Sequence, residues 1–242
     1  MNRERLTGRR VAITGGTTGI GLGIASVLAR SGAKVAVCGH DDQLDEALAA
    51  LRAHDPDAWG QRTDLAEPKA AGAFLDDAAQ RLGGLDAVIA NAGRPAGGLC
   101  DMDEDDWRDA VAVNLTSVLA TCHHAARHLG DGGDIVITGS MSAHRPGAGS
   151  SVYVAANGGL QVFAEAFRRE MGERGVHVTL VEPGKTASSL FGDTYTPGQI
   201  EAFQREGRML AAEDVGHAVR FALSTPHRCV VTGVRLEPRL HV

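Results

Sequence analysis

The sequence contains no apolar run near the roughly 20 residues that cross a bilayer. Its charged opening leads into a run of only four apolar residues, so neither a membrane anchor nor a signal peptide is expected. Cysteines are few: Cys38, Cys100, Cys122 and Cys229 are scattered, with no Cys-x-x-Cys pair. That pattern argues against a disulfide framework and a structural zinc, and it fits a reducing, cytoplasmic location. Ten histidines are present, but His123 and His124 are adjacent and so point to different helix faces, and none cluster at ligand spacing. No metal is expected. Basic charge is short too, with 24 Lys and Arg against 30 Asp and Glu, a formal charge of -6. There is no positive field to neutralise a phosphate backbone, so no nucleic-acid partner is expected and a small-molecule substrate is.

Glycine is abundant, at 31 of 242 residues, and it gathers at the ends of apolar runs, where tight turns and close backbone approaches need it. With 43% hydrophobic and 22% charged residues, the chain reads as one globular domain over residues 1–242. Short β-branched runs at 11–14, 35–38, 87–90, 135–138, 176–181 and 230–236, with a weaker one at 59–62, predict seven strands. Helical patterns lie between them at 19–31, 43–54, 68–82, 105–129, 151–174 and 214–224. This alternation predicts α/β architecture: a single doubly wound, Rossmann-type domain with a seven-stranded parallel sheet flanked by helices. Its ligand site belongs beyond the carboxyl ends of the strands. Residues 190–210 break the rhythm and fall where a substrate lid would lie.

The first strand runs into Thr14-Gly15-Gly16-Thr17-Thr18-Gly19-Ile20-Gly21 and then a helix. Gly15 lets the chain turn off the strand, Gly19 lets the backbone approach a pyrophosphate, and Gly21 lets the helix lie against the sheet. The helix N-terminus then offers N–H groups and partial positive charge to the anion. At the end of the second strand Gly39 stands where an acidic residue would bind the adenosine ribose of NAD. His40 can donate to a 2′-phosphate, which favours NADP with NAD as the alternative, while Asp41 and Asp42 weigh against it.

These motifs resemble the short-chain dehydrogenase/reductase family over essentially the whole chain. The family's glycine motif matches residues 14–21, which implies cofactor contacts from Gly15, Thr17, Gly19, Ile20 and Gly21. Its adenine-contacting acid matches Asp64, followed by Leu65, and its Asn-Ala-Gly matches Asn91, Ala92 and Gly93. The catalytic asparagine, serine and tyrosine match Asn114, Ser140 and Tyr153. The loop that holds the nicotinamide matches Pro183 and Gly184, with Thr186 and Ser188 after them. The ending at 232–238 looks more like a mostly NADP-linked branch. The resemblance implies a homodimer or homotetramer formed through the helices at 105–129 and 151–174.

One position departs from the family. Its signature Tyr-x-x-x-Lys here reads Tyr153-Val154-Ala155-Ala156-Asn157. Four residues apart on a helix, both side chains share a face. Asn157 can hydrogen-bond the nicotinamide ribose, and Tyr153 and Asn157 both remain cofactor contacts, but Asn157 has no charge with which to lower a phenol pKa. Lys185, Arg94 and His144 are the cations on loops at the same sheet edge. The expected activity is NADP-dependent reduction of a ketone or aldehyde through Tyr153, Ser140, Asn114 and Asn157. The alternatives are a proton-transfer enzyme on the same pocket, such as a cyclase or dehydratase, and a non-catalytic dinucleotide binder.

Overall fold

The computed structural model describes residues 6–40, 42–188 and 194–240. Seven parallel strands form one sheet in the order β3-β2-β1-β4-β5-β6-β7. They are β1 (Arg10–Thr14), β2 (Lys34–Gly39), β3 (Trp59–Arg62), β4 (Ala87–Ala90), β5 (Asp134–Thr138), β6 (His177–Pro183) and β7 (Gly233–Leu236). The helices are α1 (Gly19–Arg30), α2 (Leu44–Arg52), α3 (Ala70–Leu82), α4 (Glu104–Val111), α5 (Ser117–His128), α6 (Ser151–Gly172), α7 (Pro197–Glu206) and α8 (Ala212–Leu223). The order reverses between β1 and β4, which opens the crevice in which doubly wound sheets bind ligands.

Strand alternation divides the core in two. Val11, Ile13, Val35, Val37, Ile89 and Val136 face α1, α2 and α8, while Ala12, Ala36, Val88, Ile135 and Ile137 face α3, α5 and α6. Both faces are covered, which is why the strands are apolar on both sides.

Two expectations need correction. The run at 230–236 pairs only from Gly233, in register with Leu180. Residues Val230 and Val231 are β-prone, but propensity alone does not supply a ladder partner. The helix expected at 105–129 is interrupted by a π turn at Ala112–Thr116, between α4 and α5. The turn holds Asn114, whose amide oxygen accepts from Arg94 N (2.8 Å) and whose amide nitrogen donates to Arg94 O (3.0 Å). Two bonds to a neighbouring loop occur where the helix ladder widens, and π turns are frequent at functional sites. Of the expected lid, residues 190–193 and the preceding Ser189 lie outside the described residues. The rest contains α7, started by a Thr196–Gln199 capping box with Pro197 at the first helical turn.

Candidate active site

A cavity of about 1010 Å³ lies along the carboxyl ends of β1, β2, β4, β5 and β6. Its wall includes every residue named above as catalytic or cofactor-binding, from Gly15 and His40 at one end to Asn157 and Ser188 at the other. Folding therefore brings together groups spread over more than 170 positions of sequence.

The glycine cradle is built by close contact. Gly15 has φ +62° and Gly19 φ +49°, left-handed conformations that side chains disfavour. A Cβ on Gly21 would lie 1.9 Å from Gly15 O and 2.6 Å from Asn91 Nδ2. Asn91 locks the same turn by donating from Nδ2 to Thr14 O and Gly15 O, both at 3.2 Å. α1 begins with no acidic side chain in its first turn, so its N-terminal N–H groups and dipole keep their positive character toward the cavity. The Oγ1 of Thr138 and the Oγ of Ser142, also in the wall, are buried without a hydrogen-bond partner among the described residues. Buried hydroxyls of this kind call for a polar ligand. The cradle, the dipole and these hydroxyls fit a dinucleotide. Gly21→Ala is expected to weaken dinucleotide binding at least about a hundredfold, because the new methyl displaces Gly15 from the turn that approaches the pyrophosphate. Titration with NADPH, with circular dichroism to check folding, measures it.

Tyr153 sits in the first turns of α6, and Ser140 follows β5, where its hydroxyl accepts from Ser142 N (3.1 Å) and starts a short turn. Burial pushes the Tyr153 pKa above its ordinary value, and hydrogen bonding with Ser140 and Asn157 only partly opposes this. Asn157 is 5% exposed and spends one amide hydrogen on Tyr153 O, at 3.0 Å. The three basic residues singled out in the sequence have other partners. Arg94 pairs with Asp109, and Lys185 Nζ donates to the Tyr195 hydroxyl at 3.0 Å. His144 Nε2 lies 2.7 Å from Oε1 of the buried Glu182, whose Oε2 accepts from Arg235.

Sequence reasoning missed the packing of Thr17 against Gly39, and it missed Arg62 altogether. Gly39 is not an empty acidic position: a Cβ there would lie 1.9 Å from Thr17 Oγ1 and 2.9 Å from Thr17 Cβ, and Thr17 is 2% exposed. Arg62 pairs in register with Gly39 across β2 and β3, and its guanidinium donates to His40 O (3.0 Å) and Asp42 Oδ1 (2.7 Å). Parallel pairing of two strand ends was the signal that could have found it. Asp41 lies outside the described residues.

The short chain dehydrogenase family model matches residues 9–197. The chain belongs to the short chain dehydrogenase family. It is 30% identical over 239 residues to a cis-4-hydroxycyclohexanecarboxylate dehydrogenase of Sinomonas cyclohexanicum, covering 96% of this chain and 95% of that one. It is 28% identical to the 3-oxoacyl-[acyl-carrier-protein] reductase FabG of Chlamydia pneumoniae, covering 90% and 91%. Among solved structures, a short chain dehydrogenase from Burkholderia cenocepacia J2315 in complex with NADP superposes with a TM-score of 0.85 at 34% identity, over 97% of this chain and 98% of that one. Family membership makes this dehydrogenase an oxidoreductase by class. No helix among the described residues is long and apolar enough to cross a membrane.

Proposed function

We propose that this dehydrogenase reduces a ketone or aldehyde of a small-molecule metabolite with NADPH, and that the loss of the active-site lysine suits it to that direction. The observation that carries the reading is Tyr153: a phenol in the cavity wall whose pKa is raised by burial, hydrogen-bonded to Ser140 and with a neutral amide where a lysine would stand. Such a group is fully protonated at neutral pH and is therefore a donor rather than a base.

Bound NADPH supplies the hydride. Ser140 orients the carbonyl oxygen by hydrogen bonding, and Tyr153 gives that oxygen its phenolic proton as the alcohol forms. The resulting phenolate regains a proton from solvent before the next cycle. Asn114 acts through the backbone, holding the Arg94 segment that continues the Asn91-Ala92-Gly93 floor. Asn157, with its amide hydrogens directed to Tyr153 O and to the phenol, contributes its carbonyl to the ribose.

The NADP preference rests on the turn after β2. Thr17 fills the space that an acidic side chain at 39 would need, and Arg62 neutralises Asp42 while placing a guanidinium beside His40. The NADP-bound Burkholderia relative is in keeping with this. Because of the Thr17 contact, Gly39→Asp alone is expected to weaken NADPH and NADH alike. Paired with Thr17→Gly, it should shift the ratio of the two dissociation constants toward NADH by about a hundredfold, the effect of roughly 3 kcal/mol of repulsion against the 2′-phosphate. Equilibrium titration of both cofactors against both variants measures it. Leu119 and Val162, exposed on α5 and α6, fit the pairing face of a homodimer or homotetramer.

The direct test is a panel of carbonyl compounds followed by NADPH absorbance. Consumption with alcohol formed in equal amount supports the reductase. Product formed with the cofactor's redox state unchanged would favour a cyclase or dehydratase.

A further inference from the structure

The cavity has an electrostatic asymmetry that cofactor binding does not use. Leaving aside Asp64 at the adenine end, the charged side chains in its wall are Arg94, Arg145, Lys185 and Arg208 against Asp109 and Glu237. The whole chain is acidic, yet this part of the cavity carries an excess of positive charge. The cations occupy loops after β4, β5 and β6, the half of the sheet that holds Asn114, Ser140 and Tyr153, whereas the phosphate cradle and His40 belong to β1 and β2. Arg94 and Arg145 are matched by the two acids, Arg94 by Asp109 and Arg145 by Glu237 at 3.0 Å.

Lys185 differs from them. Among the described residues its partners are all neutral: the Tyr195 hydroxyl at 3.0 Å and the rings of Tyr195 and Phe203, whose centroids lie 4.6 and 5.1 Å from Nζ. Arg208 stacks on the same Phe203 ring at 4.6 Å, with its charge turned partly toward Glu206 at 3.2 Å. The backbone fixes the meeting, since Leu210 N donates to Lys185 O and Thr186 bridges Leu210. Two cations of the cavity wall thus converge on one aromatic ring. Like charges gathered this way are relieved by an anion between them, and a cleft of one sign concentrates ligands of the other.

Resting on the reductase reading, we propose that the substrate is an anionic carbonyl compound, its carboxylate or phosphate group held by Lys185 with Arg208 while its carbonyl meets Ser140 and Tyr153. A ligand so placed also ties α7 to the loop after β6, because Lys185 reaches the Phe203 ring of α7.

The test compares 4-oxopentanoate with its methyl ester, and adds dihydroxyacetone phosphate as the phosphate arm. Binding of each to the protein–NADPH complex is measured by calorimetry, and kcat/KM wherever turnover occurs. The acid or the phosphate should bind more tightly than the ester, and the stronger of the two anions identifies which group the site takes. In Lys185→Gln the anion-to-ester ratio should fall about tenfold or more, as expected for one charge-assisted hydrogen bond. Lys185→Arg should keep most of the ratio, Arg208→Gln should lower it, and Arg205→Gln, an exposed cation on α7 outside the cavity wall, should leave it unchanged. An ester bound as tightly as both anions, or a ratio unmoved by Lys185→Gln, would overturn the proposal. The binding arm needs no turnover, so anion selectivity without carbonyl reduction would reject the reductase reading and leave this site standing.

Discussion

Tyr153→Phe is expected to lower carbonyl reduction by about 10²–10⁴, the usual contribution of a positioned general acid, with a much smaller effect on NADPH binding. The substitution removes one oxygen from the cavity wall and leaves the ring that packs in α6. Ser140 keeps its bond from Ser142 N and still polarises the carbonyl, so the loss falls on the proton transfer itself. The pH dependence separates this from a general disturbance of the pocket. Because burial raises the Tyr153 pKa, the acid form persists through neutral pH and well into the alkaline range, and reduction should hold its rate there. Alcohol oxidation needs the phenolate and should keep rising with pH past the ordinary tyrosine range. Steady-state rates in both directions across pH, for the unmodified protein and for Tyr153→Phe, check both statements; reduction that survives in Tyr153→Phe would show that another group delivers the proton.

Asn157→Lys should act in the opposite sense and mainly on oxidation. A unit charge ~5 Å from the phenol at an effective dielectric of about 20 is worth roughly 3 kcal/mol, or about two pKa units. Oxidation near neutral pH should therefore gain up to about a hundredfold, with its pH profile displaced toward acid by the same two units. The structure sets a limit on that gain. Asn157 is buried and bonded to Tyr153 O, so a longer side chain must give up that bond and reach into the cavity that Asn157 lines. Crowding on the α6 face subtracts on the order of 1–3 kcal/mol of stability. A pH profile that moves while reduction stays level identifies a protein that has dispensed with the charge. A profile that does not move, with reduction impaired, identifies a pocket rebuilt around the amide.

Much of the site was legible in one dimension. Gly15, Gly19 and Gly21 lie within seven residues between a strand and a helix, and a Tyr153–Asn157 spacing of four is a property of any helix. Their chemistry follows from local geometry. The seven strands were legible for the same reason, since a run such as 135–138 must be buried on both faces to be so apolar. The β7 boundary was not, because a strand ends where its partner's hydrogen bonds end, and β6 lies some 50 positions away.

The sequence by itself determined the layer architecture, the glycine turn between β1 and α1, and the placing of Asn157 one helical turn after Tyr153, because each depends on residues a few positions apart. Tertiary structure decided the rest. Thr17 closes the space beside Gly39, Arg62 reaches across from β3 to Asp42, and Asn114 opens its own helix to hold Arg94. Lys185 and Arg208 converge on a ring that neither adjoins in sequence. Each of these contacts joins residues about 5 to 22 positions apart, and their separations follow no helical or strand period. Only the packing of loops at one edge of the sheet sets those distances, and with them the sign of the charge a substrate meets.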